Sequence, residues 1–152
     1  MNATRPLSTT GGDRATAYTM SNKLISLGHS YLATWIDKDC QNQFAMVDTG
    51  TGEVTLRGPI GKPGVDNHCG AALARTAGVV HAITGGHHSP LHHYRMALER
   101  PGAWHHVAPL PVKGTYPSVV ADADGHLSLA YRSMTDVWTL DCSRRITVSA
   151  SP

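Results

Sequence analysis

Turn-forming residues punctuate this chain so densely that helices of ordinary length do not fit between them. "DTGTGE" (48–53), "RGPIGKPG" (57–64), "TAG" (76–78), "ERPG" (99–102) and "DADG" (122–125) all read as turns. The runs between them are strand length, alternating or β-branched: "KLISLG", "YLATWID", "QFAMVD", "EVTLRG", "VVHAIT", "LHHYRM", "WHHVAPL", "YPSVVAD", "HLSLAYR", "VWTLD" and "RITVSA". The expectation is an all-β chain. "AALARTAG" (71–78) is the one stretch that also suits a helix, because its small apolar residues fit either a helix or a buried strand.

The strands repeat. "YLATW" begins at 31, "VVHAI" at 79 and "HLSLA" at 126, offsets of 48 and 47 residues, and His68 and Tyr116 stand 48 apart ahead of the second and third runs. A period of about 40–50 residues with four strands per unit is the mark of β-propeller blades. The reading is a flexible N-terminal arm over 1–19, then a partial β-propeller of about three four-stranded antiparallel blades over 20–62, 66–112 and 114–152. Propeller rings close with about 4–8 blades. Three therefore call for self-association or for further blades to complete the ring.

Composition removes several functions. Charged residues make up 16% and the net charge is +2, too little for the concentrated basic face of a nucleic-acid binder. No run approaches the roughly 20 apolar residues of a membrane span. "MNATRPLSTTGGDRATAYTM" shows no apolar core of a secretory leader. The apolar fraction of 41% supports a core. Cys40, Cys69 and Cys142 are an odd number without close spacing, so they read as buried thiols, not as a disulfide framework.

The chemistry concentrates in "GGHHSPLHHYRM" (85–96), which holds four of the ten histidines and then Tyr94 and Arg95. Metal ligation, acid–base chemistry and a merely polar sheet edge all suit it. Adjacent histidines in a strand face opposite sides, which keeps His92 and His93 from sharing one ion. A zinc site from His81, His87 or His88 and Cys69 is conceivable across a hairpin. "DADG" begins like a calcium loop but lacks the downstream acidic ligand, and reads as a hairpin turn. No resident cofactor is expected beyond these zinc or calcium options. Trp35, Trp104 and Trp138 suit the inter-blade core or sugar stacking.

Three segments carry a resemblance. "DNHCGAALARTAGVVHAITGGHHSPLHHYRM" (66–96), "GTYPSVVADADGHLSLAYRSM" (114–134) and, weakly, "SLGHSYLATWIDKD" (26–39) resemble the BNR-repeat propellers related to ulvan and rhamnogalacturonan-type polysaccharide lyases. Cys69 stands where that family has Asn, and Arg132 lacks the Gly-Ser-Gly-rich stretch that usually follows. The resemblance implies an acidic-polysaccharide partner, β-elimination at uronate, and relatives that are usually secreted. It places catalytic roles on His68, His87, Tyr116 and Arg132, with His88 taking the place of His87 should the register slip by one. His88, Tyr94 and Arg95 are expected to line the groove. The residue types suit the reaction: a guanidinium to hold a carboxylate, an imidazole to take a proton, a phenol to give or take one. The rival class is a non-catalytic carbohydrate-binding or assembly module, and a third is a metal-binding module.

Overall fold

In the computed structural model, residues 6–16, 21–133 and 140–146 are described. Every regular element among them is a strand. β1 (Leu24–Ser26), β2 (Ser30–Ile36), β3 (Asn42–Asp48) and β4 (Val54–Ile60) form an antiparallel meander in sequence order. β5 (Ala71–Thr76), β6 (Val79–Thr84), β7 (Pro90–Ala97), β8 (His105–Ala121), β9 (Leu127–Ser133) and β10 (Leu140–Ile146) form a second antiparallel sheet, also in sequence order.

β8 is the unusual strand. Its residues from His105 to Lys113 pair with β7, and those from Gly114 to Ala121 pair with β9. Between the halves the β9 register shifts over Thr115–Ser118. Pro117, which has no N–H to give a ladder, falls in that irregularity, where a strand tolerates proline. The six strands thus divide into a four-stranded portion, β5 to the first half of β8, and a three-stranded one, the second half of β8 to β10, joined end to end through β8.

The turns form for the reasons their residues supply. Asp48 Oδ1 accepts the N–H groups of Gly50 (2.9 Å) and Thr51 (2.8 Å) between β3 and β4. Asp122 Oδ1 does the same for Asp124 (3.0 Å) and His126 (2.8 Å), with Gly125 at φ +84°, so "DADG" is the β8–β9 hairpin turn. "AALARTAG" is strand β5 and its turn, not a helix.

Packing explains why. Leu73 of β5, with Val80, Ala82, Tyr94 and Met96, packs on Leu32, Phe44 and Ile60 of the first sheet. Ala72 and Ala74, one residue to either side, pack with Ile83, Leu91 and Leu110 against Val119, Leu127, Leu129 and Tyr131. The β5–β7 layer therefore packs on both faces, and β5 and β6 read as nearly continuous apolar runs. The small alanines of β5 let β8 and β9 curl back over the sheet. A buried leucine here such as Leu129 contributes enough that truncation to alanine costs about 2–5 kcal/mol.

Residues 21–23 join the layers. Asn22 O accepts the Leu73 N–H (2.9 Å), Lys23 O accepts the Thr34 N–H (2.8 Å), and Asn22 Nδ2 donates to Val119 O (2.8 Å). Residues 6–16, part of the 1–19 stretch read from the sequence as a flexible arm, lie along the end of β2. Gly12 N donates to Ile36 O (3.1 Å), Lys38 N to Thr10 O (3.1 Å), and Gly11 bridges Asp37.

Candidate functional site

Two loops and the β8 irregularity meet at one place. In the β4–β5 loop, Asp66 Oδ1 accepts the His68 N–H (2.9 Å), and Asp66 O accepts the Cys69 N–H (3.3 Å), a turn that folds the carboxylate back over His68. Its other oxygen, Oδ2, meets Nδ1 of His68 at 3.2 Å and Nδ1 of His87 at 2.5 Å. His87 sits in the β6–β7 turn, closed by Ser89 N–H to Gly86 O (2.9 Å). Glycine is required next to it: a Cβ on Gly85 would stand 2.9 Å from His68 O, and one on Gly86 2.2 Å from Pro90 O.

β8 anchors both loops. Thr115 Oγ1 donates to His68 O (2.5 Å), and Gly114 O accepts the Gly86 N–H (3.0 Å). Tyr116 then lies edge-on to His68, centroids 5.6 Å apart, with the Arg132 guanidinium carbon 5.8 Å from the Tyr116 ring centre. The His68 and His87 rings are 4.9 Å apart, and His88 stacks on His87 at 4.3 Å. The structure thus brings His68, His87, Tyr116 and Arg132 into one run of contacts, with His88 at its edge.

Backbone strain falls at this spot, as it also does at Arg14 and Cys40. His87 (φ +51°) and Tyr116 (φ +54°) hold left-handed backbone although neither is glycine. Such conformations cost about 1–3 kcal/mol each and collect where surrounding structure imposes them for function.

The charges fit proton chemistry. Burial pushes the Asp66 carboxyl up, but the His68 N–H and the two imidazoles outweigh it and hold the group below the usual carboxylate range. The Asp66 carboxylate hydrogen-bonded at His87 Nδ1 makes that nitrogen the protonated one and leaves His87 Nε2 as the basic nitrogen, the orienting role an aspartate plays for a catalytic histidine. The ligand atoms of Asp66, His68 and His87 also lie within 4.8 Å of one another, so these three can hold a divalent metal.

The other expected residues lie elsewhere. Tyr94 is buried against the first sheet. Burial pushes its phenol up, against the Lys62 N–H, which draws it down. Arg95, its neighbour along β7, points to the opposite face and is exposed, as strand alternation dictates. The zinc set of His81 with His87 or His88 and Cys69 does not form. His81 turns inward to His93 (Nδ1 to Nε2, 3.0 Å) and Thr76 Oγ1 (3.0 Å), because the β6–β7 register sets it diagonally from His93. Cys69 is buried, and the Asp66 carboxylate, not a thiolate, faces the two histidines. Trp104 packs edge-on to Phe44 at 5.7 Å in the inter-sheet core, Trp35 is buried, and Trp138 lies outside the described residues.

Two features escaped the sequence reading. Asp66 was visible only as the aspartate two residues before His68, a spacing that suits an Asx turn. The other is a group of His92, His106 and Tyr94: His92 Nδ1 and His106 Nε2 are 3.0 Å apart, and the Tyr94 and His106 rings 5.0 Å apart. Only the β7–β8 register, which sets Tyr94 opposite His106, reveals it. No protein-family model matches the chain, and no curated protein matches it.

Proposed function

We propose that this chain is a run of three BNR-type propeller blades that binds acidic polysaccharide and cleaves it by β-elimination at uronate. The three blades are β1–β4, then β5 to the first half of β8, then the second half of β8 to β10. Further blades, from a second copy or from additional chain, close the ring. The observation that carries the catalytic reading is Asp66 Oδ2 shared between Nδ1 of His68 and of His87, beside Tyr116 and Arg132.

In this reading Arg132 and His68 hold the uronate carboxylate and offset the charge that grows on it as the neighbouring carbon loses its proton. Nε2 of His87, fixed in its basic tautomer by Asp66, takes the C5 proton. The electron pair of that C–H bond becomes the C4–C5 double bond, and the bond from C4 to the glycosidic oxygen breaks. Tyr116 gives its phenolic proton to the departing oxygen, and the proton on His87 returns to Tyr116 through solvent. The measurement is ultraviolet absorbance of the unsaturated uronate end during incubation with ulvan and related uronate polymers. Rising absorbance supports cleavage, and no product from any uronate polymer sinks it. Sedimentation tests the ring: a closed dimer supports assembly from two copies.

A second reading has its own observation, the metal-ligand geometry of Asp66, His68 and His87. Carboxylate plus two imidazoles is a set that zinc and iron accept with open positions. Elemental analysis of purified protein, with and without Asp66→Ala, decides it.

A further inference from the structure

A cavity of about 500 Å³ opens between the β4–β5 loop and the β7–β8 strands, on the face of β7 opposite Arg95. Its size falls within the roughly 300–1,000 Å³ of small-molecule sites. Lys62, His92 and His106 line it, and no aspartate or glutamate does. Lys62 supplies its charge, while burial and the neighbouring His106 hold His92 below the ordinary imidazole range. Trp104 and Tyr94 supply aromatic walls and Ser89 a hydroxyl. The His92 and His106 rings, 3.0 Å apart nitrogen to nitrogen, are hydrogen-bonded to each other and leave one outer ring N–H to offer a ligand. An ammonium, an imidazole N–H and an aromatic face at one small cavity are what an acidic sugar demands, since its anion needs donors and its ring face packs on aromatic carbon.

We propose that this cavity is a binding subsite for a single anionic sugar unit, bearing either a carboxylate or a sulfate ester, held by Lys62 and the His92–His106 pair with its ring against Trp104. The assignment of sugar as the ligand rests on the polysaccharide reading above, whereas the site itself does not overlap the Asp66 cluster. Its wall includes Cys69 and Gly86, the chain neighbours of His68 and His87. A polymer engaged at the one place therefore lies alongside the other, and the subsite would select which acidic unit flanks the bond to be cut.

The test is calorimetric titration of the full chain with sodium glucuronate, galactose 6-sulfate and glucose in parallel. Saturable binding of either acidic sugar, with glucose at least about tenfold weaker, is expected; Lys62→Ala and His106→Ala should each weaken it by about tenfold or more, the loss of one charge-assisted contact. Which acidic sugar binds tells carboxylate from sulfate. Glucose binding as tightly as the acidic sugars, or binding unchanged in the Lys62→Ala/His106→Ala double variant, overturns the proposal. Both substitutions are at exposed positions, and circular dichroism of each variant confirms that the sheets persist. These readouts are independent of product absorbance, so a failure here and a failure of the elimination chemistry are told apart.

Discussion

His81 and His93 form one histidine pair of this molecule; His68 and His87 form another. The first pair lies inside the β5–β7 layer, each ring at most 3% exposed, linked nitrogen to nitrogen at 3.0 Å with Thr76 at the far end. Burial, the other imidazole and Arg95 bring His93 to about 4, and burial with Arg95 brings His81 there too. The second pair lies at loop ends, 29% and 22% exposed, and joins through a carboxylate instead of directly. Two imidazoles in contact without an anion are both neutral at pH 7 and act as a polar strut between strands. Two imidazoles on a shared carboxylate are oriented by it and stay partly open to solvent. Proximity of histidines says little about function until the third group is known.

The largest effect that sharpens this contrast is on catalysis. His87→Ala, or Tyr116→Phe, should cut product formation by about 10²–10⁴-fold, the usual weight of a general acid or base, with the melting temperature little changed. His93→Ala should leave chemistry near wild type instead. A catalytic loss there as large as that of His87→Ala would dissolve the distinction.

Asp66→Asn comes next. The amide oxygen can still accept the His68 N–H, but the charge that orients both rings is gone. An activity loss of about 10-fold or more with a displaced pH profile is expected, read from product absorbance across pH. An unchanged profile would remove Asp66 from the machinery.

Stability should separate the pairs in the other direction. His93→Ala strands Nδ1 of His81 in the core at a cost of about 1–3 kcal/mol, before any cavity is counted, measurable by urea unfolding. The pH dependence follows from the same burial. His81 and His93 have folded values depressed from 6.5 to about 4, so the unfolded chain binds more protons between those limits. Their contribution is full above about pH 6.5 and is lost as pH falls through about 4. Asp66, also depressed when folded, loses its contribution in the same direction. Melting temperature should drop steeply from pH 6.5 to 4, and His93→Gln should flatten that slope.

The smallest effect concerns a third pairing. His126 Nδ1 stands 3.2 Å from Asp122 Oδ2 on the exposed β8–β9 hairpin. His126→Ala should move neither activity nor melting temperature measurably, since exposed pairs are worth little. A clear loss would mean that pairing itself, not convergence of loops, makes the difference.

Much of this was legible before any coordinates. Gly-, Pro- and Asp-rich turns and period-2 runs are local signals, and they marked β2, β3, β6, β7 and β9 where the structure has them. The 48-residue spacing of His68 and Tyr116 anticipated that these two rings come near each other. The course of residues 6–16 was not legible, because Gly12 has no signal of its own that says it will meet Ile36. The zinc set failed for a related reason: which face His81 takes depends on its register against β7.

What the chain settles by itself is its class of backbone and the places where it bends, because turn chemistry and strand alternation act between residues a few positions apart. Tertiary structure alone decided that Asp66 reaches both His68 and His87, that Tyr94 and Arg95 part company, and that a cavity with Lys62 on its wall opens beside Trp104. Those outcomes depend on the register of β7 against β6 and β8 and on which face of β5 each neighbouring layer covers. They arise from contacts between residues far apart in sequence, whose pairing is selected by packing of the whole molecule and not by local preference.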